Sequence, residues 1–366
     1  MFTEQKNKTI LVAPLNWGLG HASRMIPLID KFIADGNNVV LASDGDARTF
    51  LGTCYKELEC LSLPSLDIKY ARKALMPFYI LIQVPKIIKW MKQDNRALAK
   101  IIEQREIDIV VSDNRWGFSH PMVYSIFVTH QVNIKLPSCL HWFEYPLYLS
   151  QKLMIRKFDQ IWVPDYASHN RNLSGDLSHK RIIKNTKFIG LLSRFSKPKP
   201  TGDPGLVYDV AVVLSGIESQ RSILKSLLIK QFSKSSLRFI FVGGEVDKSI
   251  LLVEQLNNNI QYLPFCGTDK LETIINQSKL VVCRPGYTSA MDMIRLRKAS
   301  VMIPTPGQTE QEYLAKWFSA QKWFTIVKQH DIYTMTDDFL EQCVSLVPPR
   351  EDVLENDAII AKDFYV

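Results

Sequence analysis

At 366 residues the chain exceeds the length at which one hydrophobic core stops growing, so two domains are expected. Hydrophobic residues at 46% and charged residues at 22% exclude a disordered or fibrous chain and describe an ordinary globular one. The net charge of +8 is concentrated, because Lys69 to Arg105 holds nine Lys/Arg against two acids.

The N-terminal MFTEQKNKTI is too polar for a secretory signal, and the strand TILVAPL (9–15) follows it. LNWGLGHASR (15–24) then supplies two glycines, Gly18 and Gly20, His21, and a helix start. Further strands are expected at NVVLAS (38–43), IDIVVSD (107–113), YSIFVTH (124–130) and QIWVPD (160–165). Between the second and third lies the basic window, which also contains the apolar run ALMPFYILIQVP (74–85). Twelve residues are too short to span a bilayer, which needs about 20. Two readings of residues 69–100 stand side by side. One is an amphipathic element on an anionic membrane, with Phe78, Tyr79 and Trp90 as its apolar part; the other is a core helix with a solvated basic rim. Nucleic acid is not expected as a partner, since a phosphate-tracking surface has little use for so much aliphatic bulk.

SRFSKPKPTGDPG (193–205) reads as a linker, and the alternation then restarts with YDVAVVLSG (208–216), LRFIFVGG (237–244), IQYLPF (260–265), KLVVCR (279–284) and ASVMIP (299–304). Short apolar runs alternating with helical segments predict an α/β fold of two Rossmann-like domains facing across a cleft. The expected boundaries are 1–195, a linker at 196–206, 207–340, and a helical segment at 341–366 that packs back on the first domain. The six cysteines show no C-x-x-C pairing and read as reduced, mostly buried thiols.

Ligands of such sheets bind at the carboxyl ends of the strands, so the motifs are read there. In LVVCRPGYTSAMD the strand ends at Arg284, Pro285 and Gly286 make the turn, and a helix is expected to start near Thr288 or Ser289. Helix N-terminal amides, two hydroxyls and a guanidinium make a diphosphate cradle, with Tyr287 in the same turn. Asp292, one helical turn deeper, suits a ribose. The competing reading is that Thr288 and Ser289 only cap the helix and Asp292 favours its first turn. In TPGQTEQEY, Gln308, Glu310, Gln311 and Glu312 crowd the next strand end, where amides and carboxylates would suit sugar hydroxyls or simply start a helix. Asp44-Gly45-Asp46 has the form of a metal-binding D-x-D but sits where an acidic turn is ordinary, and no metal is expected. Asp113, Asn114 and Arg115 end one strand, Thr129, His130 and Gln131 another; these are candidate cleft or acceptor residues, and Glu144 is a candidate base.

The order strand, C-R-P-G, helix with an acid one turn in, then strand and P-x-Q-x-E-Q-E-Y, resembles the donor half of the GT-B glycosyltransferases. It is most similar to the family 28 group that includes the lipid-linked N-acetylglucosaminyltransferase of peptidoglycan synthesis, whose N-terminal loop is also Gly-rich and ends in histidine. The resemblance implies Asp292 on the donor ribose, Gln311 and Glu312 on the donor sugar, and a phosphate loop at Ser215 and Gly216. It also implies that the segment around Leu263 to Phe265 frames the nucleobase, with Gly243 beside it, and that His21 faces the cleft. A UDP-sugar donor, a lipid-linked or cell-envelope glycan acceptor and no cofactor follow from it, in a cytoplasmic protein peripheral to the inner membrane face. His21 is then the candidate catalytic base or positioner of an inverting transfer that needs no metal. Three rival readings remain. A dehydrogenase is suggested by Gly18-x-Gly20 with Asp44 24 residues on, although the third glycine is absent. A UDP-sugar 2-epimerase uses the same fold, and a non-catalytic nucleotide-sugar-binding subunit would use the same donor site.

Overall fold

The computed structural model describes residues 7–65, 76–168, 171–196, 205–245 and 253–350, with side chains from residue 85 onward in the helix that begins at Met76. Contacts divide the described chain into two units, 7–16 with 21–192, and 17–20 with 193–350. Most of the expected linker, 197–204, lies outside the described residues.

The first unit runs β1 (Thr9–Pro14), α1 (Leu19–Ala34), β2 (Asn38–Ser43), α2 (Gly45–Cys54), β3 (Cys60–Ser62), α3 (Met76–Gln104), β4 (Ile109–Asp113) and β5 (Tyr124–Val128). A 3-10 turn (Ser138–Phe143) leads into α4 (Glu144–Ile155), β6 (Gln160–Val163), α5 (Asp176–His179) and β7 (Thr186–Phe188). The sheet order is β3-β2-β1-β4-β5-β6-β7, and every pairing is parallel. Runs such as ILVA and IVV are buried along their whole length because helices cover both faces of a parallel sheet. α1 buries Ala22, Met25, Ile26, Ile29 and Phe32, a stripe at helical spacing.

The second unit repeats the plan. It runs β8 (Tyr208–Val213), α6 (Glu218–Phe232), β9 (Phe239–Val242), β10 (Glu254–Gln255), β11 (Ile260–Leu263), α7 (Thr268–Asn276) and β12 (Ser278–Cys283). Then come α8 (Tyr287–Arg295), β13 (Ser300–Met302), α9 (Thr309–Ala320), β14 (Thr325–Ile326), a 3-10 turn (Gln329–Thr334) and α10 (Asp337–Cys343). Its order is β10-β11-β9-β8-β12-β13-β14, parallel except for β10, which runs antiparallel to β11. Leu224, Leu228 and Phe232 of α6 pack on Val210, Val212, Phe239 and Phe241. Burial of each such side chain contributes roughly 1.5–3 kcal/mol. Both units are Rossmann-like, with the strand-order reversal between β1 and β4 in one and between β8 and β12 in the other.

All ten expected strands form, and four short ones, β3, β7, β10 and β14, were not expected. Three expectations change. The closing helical segment begins in the second unit, where α10 places Leu340 and Cys343 in the core, because its apolar positions meet β8 and β9 side chains there. Residues 351–366 lie outside the described residues. In the basic window, Trp90 is buried and its indole N–H donates to the Pro64 carbonyl at 3.0 Å, so it packs the core and is no lipid anchor. Over 85–104, α3 has a buried face with Leu98 and Ile101 and an exposed face with Lys89, Lys92, Arg96 and Lys100, as a core helix with a basic rim does. Residues 66–75 and the side chains of 76–84, including Phe78 and Tyr79, lie outside the description. The six cysteines are free, but only Cys266, Cys283 and Cys343 are buried. Among the described residues no helix is long and apolar enough to cross a membrane.

Candidate functional site

In the first unit Pro14 on β1 pairs with Asp113 on β4, and the Leu15 N–H donates to the Asp113 carbonyl at 3.0 Å. The first loop therefore leaves the sheet beside Asp113, at the strand-order reversal. α1 begins two residues before His21, so His21 and Arg24, three apart, share the helix face that looks back at that strand end. His21 Nδ1 lies 3.2 Å from each Asp113 carboxylate oxygen. Arg24 Nε donates to Asp113 Oδ2 at 2.7 Å, and Arg24 Nη2 donates to Oδ1. The same guanidinium reaches His130 Nδ1 at 2.8 Å and His21 Nδ1 at 3.0 Å. A guanidinium only donates, so His130 Nδ1 accepts. Arg24 is 1% exposed and Asp113 is fully buried. Burial pushes the Asp113 carboxyl up, but the Arg24 guanidinium, with the His21 ring beside it, outweighs burial and holds it down at about 2. Two residues named on sequence grounds as separate loop ends, Asp113 and His130, thus join His21 in one cluster. Its fourth member, Arg24, went unnoticed, although its helical spacing from His21 was the available signal.

The remaining first-unit candidates have other engagements. Asn114 adopts a left-handed backbone with φ 56°, and its N–H donates to Val128. Gln131 uses its backbone, its N–H donating to Thr129 Oγ1 at 3.0 Å and its carbonyl accepting from Gln151 at 2.6 Å. Arg115 is buried between Asp44 (2.7 Å) and Asp94 (2.7 Å), donates to the Pro64 carbonyl and lies over the Trp90 ring. Burial raises the Asp94 carboxyl to about 6 in spite of that arginine. Asp44 is therefore a structural ion-pair partner, which removes it both as a metal ligand and as the acid of a dinucleotide fingerprint. Glu144 accepts from the Leu136 N–H at 3.1 Å and pairs with His141 at 2.7 Å, so it fastens its own loop. The described residues hold no group of three His, Cys, Asp or Glu arranged for a metal ion.

In the second unit Val213 on β8 pairs with Cys283 on β12, so the loops Ser215–Gly216 and Arg284–Gly286 leave adjacent strands. Gly216 has φ 98° and Gly18, in the loop that follows β1, φ 74°, a left-handed region that disfavours any side chain. α8 starts at Tyr287 with Gly286 as its N-cap, one residue before expectation; Tyr287 is buried, while Thr288 and Ser289 are half-buried. Asp292 is buried one turn in. It accepts the Ser193 hydroxyl at 2.6 Å, Arg194 Nε lies 3.9 Å from its other oxygen, and burial pushes its carboxyl up to about 6. Arg284 departs from the cradle expected of it. Its guanidinium is buried, donates to the Ile303 carbonyl at 2.9 Å and to Gln329 Oε1 at 2.8 Å, and thereby ties the β12 turn to the β13 end. Gln308 is the N-cap of α9; Gln311 Oε1 accepts from the Thr305 N–H and Glu312 Oε1 from the Gly307 N–H, both at 2.9 Å. Gly243 donates from its N–H to Leu263, and Phe265 is half-buried just beyond β11. The hydroxyl of Ser193 had no sequence signal beyond its place at the start of the linker.

Residues 218–362 match the glycosyltransferase family 28 C-terminal domain. Among solved structures, the glycotransferase of kitacinnamycin is 15% identical, with 96% of this chain and 92% of that one covered and a TM-score of 0.58. The spinosyn rhamnosyltransferase SpnG is 11% identical, with coverages of 96% and 97% and a TM-score of 0.61. The glycosyltransferase VinC in complex with dTDP is 13% identical, with coverages of 96% and 96% and a TM-score of 0.55. No curated protein sequence matches the chain.

Proposed function

We propose that this chain, whose residues 218–362 match the family 28 C-terminal domain and whose fold is that of the GT-B glycosyltransferases, transfers a sugar from a pyrimidine-nucleotide donor to a lipid-linked or cell-envelope glycan acceptor with inversion. The observation that carries the reading is the His21–Asp113 contact at the strand-order reversal of the first unit. In the tautomer with the proton on Nδ1, the ionised, buried carboxylate accepts the Nδ1–H, and Arg24 Nη2 then lies beside that nitrogen without a hydrogen bond to it. The Nε2 lone pair of His21 is left to take the acceptor's hydroxyl proton as the sugar is attacked. Asp113 orients the ring and balances the charge that develops on it, and Arg24 keeps Asp113 ionised. The leaving diphosphate is the proposed ligand of the Ser215–Gly216 loop and of the α8 N-terminus at Gly286, Tyr287, Thr288 and Ser289, where helix amides and dipole favour an anion. Asp292 is the proposed ribose ligand, Gly243 and Phe265 border the base, and Gln308, Gln311 and Glu312 border the donor sugar; Arg284 supports the loop from beneath.

UDP-N-acetylglucosamine or another UDP-hexose is the donor favoured by the family resemblance, while the dTDP bound to VinC keeps a deoxythymidine donor in the same chemical class. Metal-independent transfer is supported by Asp44, whose carboxylate is engaged by Arg115. The proposed place of action is the cytoplasmic face of a membrane. His21→Ala is expected to lower the transfer rate by about 10²–10⁴ while leaving nucleotide affinity unchanged. A rate within a few-fold of the parent would remove the base assignment. A thermal-shift series with UDP, dTDP and ADP tests the donor class, and a larger rise with ADP would overturn the pyrimidine reading.

A further inference from the structure

Asp44-Gly45-Asp46 has the spacing of a metal site, yet the structure gives two of its residues a different task. Asp44 stands at the N-cap of α2, where an aspartate ordinarily accepts backbone N–H groups of the first turn. It makes no such bond, because its Oδ1 accepts from Arg115 Nη1 at 2.7 Å instead. The cap comes from another segment. Asn16, two residues beyond β1, accepts the Ala47 N–H on its Oδ1 at 3.2 Å and donates from Nδ2 to Asp44 Oδ2 at 3.4 Å. Gly45 makes room for this amide on the helix start, since a Cβ there would collide with Asn16 Nδ2.

The seat beneath Asn16 is anchored in the interior. Arg115 is fully buried and also donates to both Asp94 oxygens, at 2.7 and 3.1 Å, and to the Pro64 carbonyl at 3.0 Å. Asp94 belongs to α3, so one guanidinium joins α3, the end of β4 and the end of β2. Charged hydrogen bonds in a buried network hold their members in one arrangement. The β2 end is tied to the β1 end a second time, by the Ser43 hydroxyl donating to the Pro14 carbonyl at 3.0 Å.

This network reaches the proposed base through the loop after β1. Asn16 and His21 flank the short segment Trp17–Gly20, so little slack separates the seated amide from the ring. Both sides answer to one strand end: Asp113 holds His21, and Arg115, two residues on, holds Asn16 through Asp44. A displacement of Asn16 would therefore be felt at His21, where an error of about 1 Å in placement can cost on the order of a hundredfold in rate. We infer that Asn16, seated on Asp44 and Gly45, is a positioning residue for His21. The inference rests on the glycosyl-transfer reading, in which His21 is the base.

The test exchanges the two partners in the full chain. Asn16→Asp sets a second carboxylate against Asp44, and Asn16→Asp/Asp44→Asn restores an amide–carboxylate pair in reverse. Turnover is read as release of UDP from UDP-N-acetylglucosamine and of dTDP from dTDP-glucose. Water is the acceptor in both: its oxygen bonds the anomeric carbon as the bond to the diphosphate breaks, and His21 takes the proton. Asn16→Asp is expected to lower kcat at least about tenfold with the donor KM within about twofold, and the double variant to recover most of the loss. Asn16→Ala, which removes the amide without adding charge, should show the same split at smaller size, and thermal midpoints report folding. The ring ¹⁵N signals of His21, identified by their absence in His21→Ala, need no substrate; they are expected to move in Asn16→Asp and return in the double variant. Unmoved ring signals would overturn the inference, as would a double variant no better than Asn16→Asp, or an unchanged kcat where His21→Ala is inactive. If neither donor is hydrolysed, the ring signals alone decide. Signals that move and return, in a protein whose His21→Ala variant turns over donor as fast as the parent, would remove the base assignment and leave the positioning of the ring standing.

Discussion

The two strand-order reversals are built alike in backbone and differ in how they hold their polar side chains. In the first unit His21, Arg24, Asp113 and His130 bond to one another, so each orientation depends on the others. In the second, Gln311 and Glu312 each bond to the backbone of their own turn, Arg284 ties the β12 turn to the Ile303 carbonyl and to Gln329, and Asp292 takes its hydrogen bond from Ser193. A mutually bonded cluster fixes a reactive ring in one pose, as proton transfer requires. Separately fastened loops form a cradle whose backbone amides stay aligned whichever single side chain is lost. Removal of one member should therefore propagate in the first unit and stay local in the second.

The strongest challenge to that contrast is Arg24→Met. It leaves the buried Asp113 carboxylate without its main counter-charge and should cost about 3–5 kcal/mol in urea unfolding, with Arg24→Lys restoring only part. A loss below about 1 kcal/mol would mean that the cluster is not cooperative.

The next largest effect concerns pH, where the two carboxyls act in opposite directions. Asp113 is held near 2, below the ordinary 3.8, so its stabilising contribution is complete above pH 4 and is lost as pH falls through 2. Asp292 is raised to about 6, so the folded state is burdened by its charge above pH 6 and relieved as pH falls toward 3.8. Asp292→Asn should then stabilise the protein at pH 7 by about 1–3 kcal/mol, with the gain fading below pH 4, while weakening binding of UDP or dTDP. Thermal melts of both proteins from pH 3.5 to 8 check the sign. A variant that is less stable at pH 7 would show that the Ser193 bond outweighs burial.

The smallest effect is expected at Glu312→Ala, which removes one hydrogen bond from an exposed loop and should cost about 0.5–1.5 kcal/mol, read as a small drop in thermal midpoint. If the drop matched that of Arg24→Met, the second cradle would be as interdependent as the first cluster.

The same contrast explains what could be read from sequence. Runs such as TILVAP and KLVVC announce buried parallel strands because both faces must be apolar. CLS, TKF, EQ and TI carry no such pattern; two or three residues become strand only because a neighbour offers a ladder. His21 was legible from its place after a Gly-rich turn, but its partner was not, since adjacency of residues 21 and 113 follows from β1 lying next to β4. Arg24 and Arg284 show the limit for charged groups. Arg284 reads as a ligand charge and Arg24 carries no signal of its own, and each is buried by partners between 19 and 106 residues away in the chain. The choice between the two readings of the helix around Trp90 was undecidable from sequence for the same reason, because its indole partner, Pro64, lies 26 residues earlier.

The outer strand of the second sheet, β10, has a consequence for handling the protein. It pairs only two residues, Glu254 and Gln255, and runs against the direction of every other strand in that sheet. A ladder that short presents few open amides and a carboxylate to any newcomer, so edge-to-edge growth of the sheet is discouraged at its outermost position. Concentrated preparations should accordingly resist fibril formation at this edge, and deleting the Glu254 charge together with lengthening the strand would be the way to provoke it.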